Sequence, residues 1–461
     1  MSDDAYRISI QHIGNTANNA FHNHLALQES TLLASLLPIL TSQRHAISSA
    51  AWETTKFAVP SPQWVTQPAW GEFTEAAGEN ESFLWFPSHL RAEARGVAGY
   101  RSGSTLDFRK LRKFVARVPY LKRMYLRATL ARSFRASGAP KFHSDVSLLY
   151  GSDFLHFFPV PKDHPWVALE HGTLRWLADG PRRDHSLRQM YGRAIRRARL
   201  VWVTNLDDRT LQVAEDLLPG RWAAFPHPYL SISSTGLGIE PDFDWRRNCL
   251  SKSRSDFLVF LPSSINWLRH HDKGTKAALA AFRELRLRGV PVSLALTEWG
   301  LNVGEAKEWL SEHRLDEFVT WHTPMPRLTL LSRMAASDAV WDQFGLQAFG
   351  ALALRACDAG VPLISGGIGD CATGLLGFDV PWMKANNKEE IVEQTQMLLH
   401  QVSTPNGPAL RSAVVERQRT WLNATHSRYV LCDLQERVYP TLLTGEFALR
   451  PNMWSQVVSG E

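Results

Sequence analysis

The chain has 461 residues, 44% of them hydrophobic, with 25 prolines and 29 glycines in no repeating pattern. That excludes a fibrous or largely disordered protein and leaves room for two or three domains with sizeable cores. The formal net charge is +6, and the four cysteines (Cys249, Cys357, Cys371 and Cys432) have neither CxxC spacing nor the density of a disulfide scaffold, as expected for buried thiols in a reducing, cytoplasmic setting. The longest apolar run, residues 32–40, is broken by Ser35 and Pro38 and is too short to span a bilayer. The acidic start MSDDAYR is followed by no signal-peptide core, so no targeting segment is expected.

In chain order, residues 6–13 alternate polar and apolar and predict a first strand. A Gly- and Asn-rich turn, 14–19, and a helix over about 20–27 follow. Such a turn, with Gly14 and Asn18, suits close approach of backbone to a ligand, and equally a plain strand-to-helix connection. Residues 45–100 are irregular and rich in Trp, Pro and Ser, reading as loops that decorate the first domain. Residues 101–141 carry twelve lysines and arginines against one acid, Asp107, with apolar residues interleaved at spacings of three and four and a break at Pro119. This is a basic amphipathic helical pair. It is either a solvated face or a surface for an anionic membrane or lipid-linked acceptor, with nucleic acid the least favoured partner. Strands are expected at 146–150 and at 166–170. His171-Gly172 ends the latter, on the ligand edge of a parallel sheet or as a capping histidine. A basic helix over 188–200 leads to a strand at 201–204. Pro226-His227-Pro228 and the polar run 231–255 then mark a domain boundary near 228–253.

The second half opens with an apolar strand, 256–261, a polar loop to Asp272, and Lys273-Gly274 ahead of a helix over 275–287. Strands at 290–296 and 318–321 alternate with helices at 305–313 and 328–336. Residues 337–369 then read as one unit: a short strand (339–341), a turn bearing Gly345 and Gly350, a helix over 351–359 stopped by Gly360, a strand from Val361, and a turn at 366–369. The free N–H groups and positive dipole end of that helix form a ready anion site, suited to a nucleotide's phosphates. Cys357, inside this helix, is a packing residue. Helices over 389–399 and 413–439 complete the chain. The alternation gives an α/β protein with parallel, doubly wound sheets. No Walker loop, HExxH or Ser-His-Asp motif occurs, and the first turn lacks GxGxxG. His270 and His271 have no acidic or Cys partner at ligand spacing, so no metal site is expected.

Residues 337–369 resemble the donor-binding segment of the retaining family-4 glycosyltransferases of the GT-B fold. Phe349-Gly350, Leu354, Ala356, Gly360, Pro362 and Ile364 stand in the family's frame, and the family's two glutamates are replaced by Gln347 and Arg355. The resemblance is good over 256–400 and thin before 165. It implies two Rossmann-like doubly wound domains with a cleft between them: an acceptor-side domain over 1–235, carrying 101–141 as an insertion, and a nucleotide-sugar-binding domain over 250–430, with 431–461 packing back. It implies a retaining, metal-independent glycosyltransferase that needs no cofactor. The sugar would pass from a nucleotide-sugar donor to a glycan, glycolipid or other acceptor, on the cytoplasmic side and with the basic segment against an anionic membrane surface. Lys273 matches the family's Lys-Gly element at the diphosphate, with Arg269 the nearest counterpart of its arginine and Arg355 a further cation. His171 and Gln347 would orient the sugar, while Gly14, Asn18 and the Gly366-Gly367 loop let backbone approach it. Gln347 can still accept one hydrogen bond and donate two, but Arg355 cannot accept, so a ribose clamp at that position is lost. Arg355 is left to pair with a phosphate or with Asp342 or Asp358. Asp342-Gln343 resembles a pair found just ahead of the motif in some members. The alternative is a GT-B binding or scaffold protein without donor chemistry.

Overall fold

The computed structural model describes residues 7–13, 19–36, 144–150, 160–161, 163–170, 172–179, 185–232, 238–251, 257–267, 272–445 and 449–460. Gly14, Asn18, His171, Arg269, the Trp-rich stretch 45–100 and the basic segment 101–141 lie outside them.

The first sheet is built from β1 (Ile8–Ile13), β2 (Leu33–Ser35), β3 (Val146–Tyr150), β4 (Trp166–Glu170), β5 (Leu200–Val203) and β6 (Trp222–Ala224), all parallel, in the order β2-β1-β3-β4-β5-β6. Strands covered by helices on both faces are largely apolar, and β3, β4 and β5 are buried at every position, Ser147 and Glu170 included. Their helices are α1 (Asn19–Leu27), α2 (Thr173–Asp179), α3 (His185–Ile195) and α4 (Asp208–Leu217). The expected strands at 146–150 and 166–170 coincide with β3 and β4. The basic helix begins and ends earlier than expected, because Leu200 is the first residue of β5.

The second sheet consists of β7 (Phe257–Leu261), β8 (Val292–Thr297), β9 (Val319–His322), β10 (Ala339–Trp341), β11 (Leu363–Ser365) and β12 (Met383–Lys384). It too is parallel, in the order β12-β11-β10-β7-β8-β9. Around it lie α5 (Phe243–Ser251), α6 (Thr275–Leu287), α7 (Val303–Glu312), α8 (Arg327–Ala336), α9 (Ala351–Ala359), α10 (Asp370–Leu376), α11 (Lys388–Val402) and α12 (Gly407–His426). The polar run read as a linker contains α5. Asp242 starts this helix by accepting from the Trp245 amide at 3.0 Å, and Trp245 and Cys249, four residues apart, are its buried stripe. The expected long C-terminal helix is two helices, α12 and α13 (Arg428–Thr444). Ser427 leaves the helical conformation between them, and its side chain caps the second.

α13 and α14 (Met453–Ser459) return to the first sheet. Asn23 of α1 and Gln435 of α13 exchange amide hydrogen bonds at 2.9 and 2.8 Å, Trp202 of β5 donates to Tyr439 at 3.3 Å, and the Ala224 amide donates to the Pro451 carbonyl at 3.0 Å. One apolar core therefore runs without a break from the first sheet through α13 and α14 to one face of the second; a separate core fills the other face of the second sheet. No helix among the described residues is long and apolar enough to cross a membrane.

Candidate active site at the facing sheet edges

Counted from β7, the second sheet runs third-second-first-fourth-fifth-sixth. Its order reverses between β7 and β10, and the loops leaving their carboxyl ends diverge to leave the crevice where α/β sheets bind ligands. Residues 262–274 leave β7 and residues 342–350 leave β10. The first loop is held on its outer side, where Ile265 pairs with Trp299 and Asn302 through its backbone and a Cβ at Gly300 would stand 2.4 Å from the Ile265 carbonyl oxygen.

The two loops are tied across the crevice at two points. Ser263 Oγ donates to Asp342 Oδ1 at 2.5 Å, and the Phe344 amide donates to the Lys273 carbonyl at 2.8 Å. Gly274 sits at φ 72°, and a Cβ there would lie 2.4 Å from the Phe344 carbonyl oxygen. No side chain fits, so Lys273-Gly274 is fixed by packing as well as by turn geometry. Lys273 is half-buried, and its ammonium has no ion-pair partner among the described residues. The helices that start at this crevice, α6 after Gly274 and α9 after Gly350, have no side-chain cap and no acidic residue in the first turn. Their amino ends leave positive dipole ends beside Lys273.

Asp342 is 1% exposed. Its Oδ2 has no hydrogen-bond partner among the described residues. Burial pushes the carboxyl up from its usual range, and the Lys273 charge and the Ser263 bond oppose that rise. Gln343 braces the turn. Its amide donates to the Ala348 carbonyl at 2.6 Å, and its own carbonyl accepts from Gly366 at 2.8 Å. Gly366 admits no side chain, because a Cβ would stand 2.8 Å from the Leu346 carbonyl oxygen. Gly367 lies against the Lys384 stem, and Trp382 donates to the Gly366 carbonyl at 2.9 Å.

Of the remaining sequence candidates, Gln347 alone stays at the crevice. Gln347 is exposed on the turn. Phe349 is 3% exposed and packs edge-on against Trp382, Trp421 and His426, so its contacts are with the core. Arg355 is 9% exposed on α9, where its charge acts on Tyr229 in the segment joining the two sheets. Lys273, Gly350, Gly366, Gly367 and Gln347 gather at the crevice, and Arg355 is turned toward the connection.

The carboxyl edge of the first sheet faces the same region. Glu170, fully buried at the end of β4, accepts from the Gly172 amide at 2.8 Å, and Thr204 donates to the Glu170 carbonyl at 2.7 Å. Arg175 pairs with Asp207, which caps α4. Asp208 reaches the second sheet's side, accepting from the Cys371 amide at 3.2 Å and standing 2.0 Å from where a Cβ of Gly369 would be. Sequence reasoning missed Ser263, Glu170 and Asp208. Nothing local marks Ser263 or Asp208, whereas Glu170 adjoins the His171-Gly172 turn it did single out. No cluster of three or more His, Cys, Asp or Glu side chains that could hold a metal ion occurs among the described residues.

No protein-family model and no curated protein sequence matches the chain. Solved structures do. A glycosyltransferase from Rickettsia africae aligns over 95% of this chain and 99% of its own, with TM-score 0.55 at 11% identity. Anabaena HepE in complex with UDP-glucose aligns over 95% and 100%, with TM-score 0.56 at 12% identity. Staphylococcus aureus MnaA with UDP aligns over 95% and 98%, with TM-score 0.52 at 10% identity. Identities this low speak to architecture, and the architecture they share with this chain is the GT-B fold, two parallel six-stranded sheets with flanking helices in Rossmann-like domains.

Proposed function

We propose that this chain is a glycosyltransferase that moves a sugar from a nucleotide-sugar donor to a glycan, glycolipid or other acceptor, with retention and without a metal. The observation that carries the reading is Lys273: an ammonium with no ion pair among the described residues, held by an obligatory glycine at the switch point of the second sheet. The leaving diphosphate would meet this charge and the amino ends of α6 and α9, a fixed set of positive groups where negative charge develops. Structures of the same fold hold UDP and UDP-glucose, which makes a uridine nucleotide the first donor to try. Arg269 would add a second cation and His171 would face the sugar with Gln347. The Gly14–Asn18 turn and the Gly366-Gly367 loop would pass backbone close to the donor. In this reading residues 1–235 receive the acceptor, residues 250–430 bind the donor, and residues 431–461 pack back. Residues 101–141 would bring the enzyme to an anionic membrane surface from the cytoplasmic side.

The test is thermal shift with UDP, GDP, ADP and their sugars, followed by titration calorimetry. Wild type is expected to be stabilised by one nucleotide. Lys273→Ala is expected to weaken that nucleotide by about 1.5–3 kcal/mol, the range for a charge-assisted contact. No shift with any nucleotide in wild type would refute the reading.

A second reading, a GT-B binding protein without donor chemistry, is favoured by the fate of the two glutamate positions. One holds an exposed glutamine and the other a buried arginine directed at the inter-sheet segment. Saturable UDP-sugar binding with no release of UDP, in the presence of an acceptor panel, would support it.

A further inference from the structure

We propose that Asp342 is a positioning residue for Lys273: a buried counter-charge that holds the lysine ammonium over the switch point, ready for an anionic ligand. The proposal rests on the reading of Lys273 as a diphosphate contact, and goes beyond it by naming the group that sets the lysine's place.

Three features of the site lead to it. Asp342 follows the last residue of β10, and Lys273 lies two residues before α6 on the adjoining loop. The Phe344 amide and the obligatory Gly274 keep the two backbones in contact, so the two side chains rise from the same point of the crevice. The carboxylate is 1% exposed and uses one oxygen for Ser263; the other oxygen is buried with no hydrogen-bond partner among the described residues. An acceptor left in that state costs free energy unless a positive charge compensates it, and the charge acting on it is that of Lys273. A flexible four-carbon stem would otherwise carry the ammonium into solvent. A fixed negative charge behind it restricts the stem before the ligand arrives, so less freedom is lost on binding. The Ser263 bond holds the carboxylate in the turn, and the charge itself is what acts on the lysine.

Asp342→Asn keeps the acceptor for Ser263 and the shape of the turn while removing the charge. Ser263→Ala removes the hydrogen bond and keeps the charge. Two readouts separate this proposal from the functional reading. The first uses no nucleotide: acetylation of Lys273 by dilute acetic anhydride at pH 8, followed by peptide mass spectrometry. A stem drawn toward a buried carboxylate presents its amine to the reagent less often than a stem free in solvent. Labelling of Lys273, relative to exposed lysines of the same sample, is expected to rise at least threefold in Asp342→Asn and to stay near wild type in Ser263→Ala. The second compares UDP with uridine by calorimetry. Asp342→Asn is expected to weaken UDP by three- to tenfold with uridine unchanged, and to have no further effect in a Lys273→Ala background. Unchanged labelling in Asp342→Asn overturns the proposal, whether or not the protein binds a nucleotide. Tighter UDP binding in Asp342→Asn overturns it as well, since the carboxylate would then act on the phosphates as simple repulsion. Faster labelling in a protein that binds no UDP would keep the counter-charge and discard the diphosphate.

Discussion

Asp358 makes the sharpest test of how the two sheets are joined. It is fully buried on α9 and gathers the segment that connects them: Tyr229 Oη donates to it at 2.7 Å, Ser231 Oγ at 2.5 Å and the Ile232 amide at 2.8 Å. The Arg327 guanidinium lies 3.6 Å from its Oδ2, 4.7 Å from the centre of the Tyr229 ring, and within a 2.5 Å hydrogen bond of the Leu230 carbonyl. Asp358→Asn keeps the size of the side chain but turns one oxygen into a donor that faces other donors. It also leaves Arg327 buried opposite a neutral group. Breaking a buried pair from one side costs about 3–5 kcal/mol, because the remaining charge is uncompensated. Arg327→Met should cost a similar amount for the mirror-image reason. The double variant, with neither charge, should be less damaged than the sum of the two by about 2 kcal/mol. Guanidinium unfolding followed by tryptophan fluorescence would measure all four proteins. A loss below about 1 kcal/mol in Asp358→Asn, or strict additivity in the double variant, would refute the assignment of Asp358 as the centre of this junction.

Two further predictions use other parts of the structure. Gly274→Ala combines a left-handed φ with a Cβ 2.4 Å from the Phe344 carbonyl oxygen, so it should cost at least about 2 kcal/mol in unfolding experiments and abolish any nucleotide-induced shift. Burial pushes His426 down to about 3, and lowers His12 and His24 as well. These histidines are neutral when folded but bind a proton near pH 6.5 when unfolded, so their contribution is intact above that pH and is lost as pH falls below it. Between pH 6.5 and 5, above the range where most carboxylates titrate, His426 alone should cost about 1.6 kcal/mol. Urea midpoints at the two pH values should show that loss, and His426→Phe should lessen it.

The parts of the fold that were legible in the sequence are those with strong local punctuation. α6 and α9 coincide with their expected spans because Gly274 and Gly350 precede them and Gly360 ends the second. Strands β2, β6 and β12 were not foreseen. At three, three and two residues they are too short to carry a period, and pairing with a neighbour decides them. α5 was hidden in a polar run because only Trp245 and Cys249 of its nine residues are buried. The break between α12 and α13 carries no Gly or Pro; Ser427 ends one helix by capping the next. At the candidate site Lys273-Gly274 was legible from its place after β7. Asp342 is tied to Ser263, 79 residues away, a pairing that no local pattern encodes. Phe349 fits a donor-binding frame in sequence, yet three aromatic neighbours claim it.

The return of α13 and α14 has a consequence in time. Two β6 neighbours of the first sheet, the Pro451 carbonyl and the α14 helix, and the Gln435 partner of α1 are synthesised some two hundred residues after β6 itself. A ribosome adds residues at about 5–20 per second, so the first sheet waits on the order of ten seconds or more with that flank open to solvent. Its folding is finished by the closing helices, and anything that delays them, a stalled codon or a premature stop, leaves Trp202 and its neighbours bare.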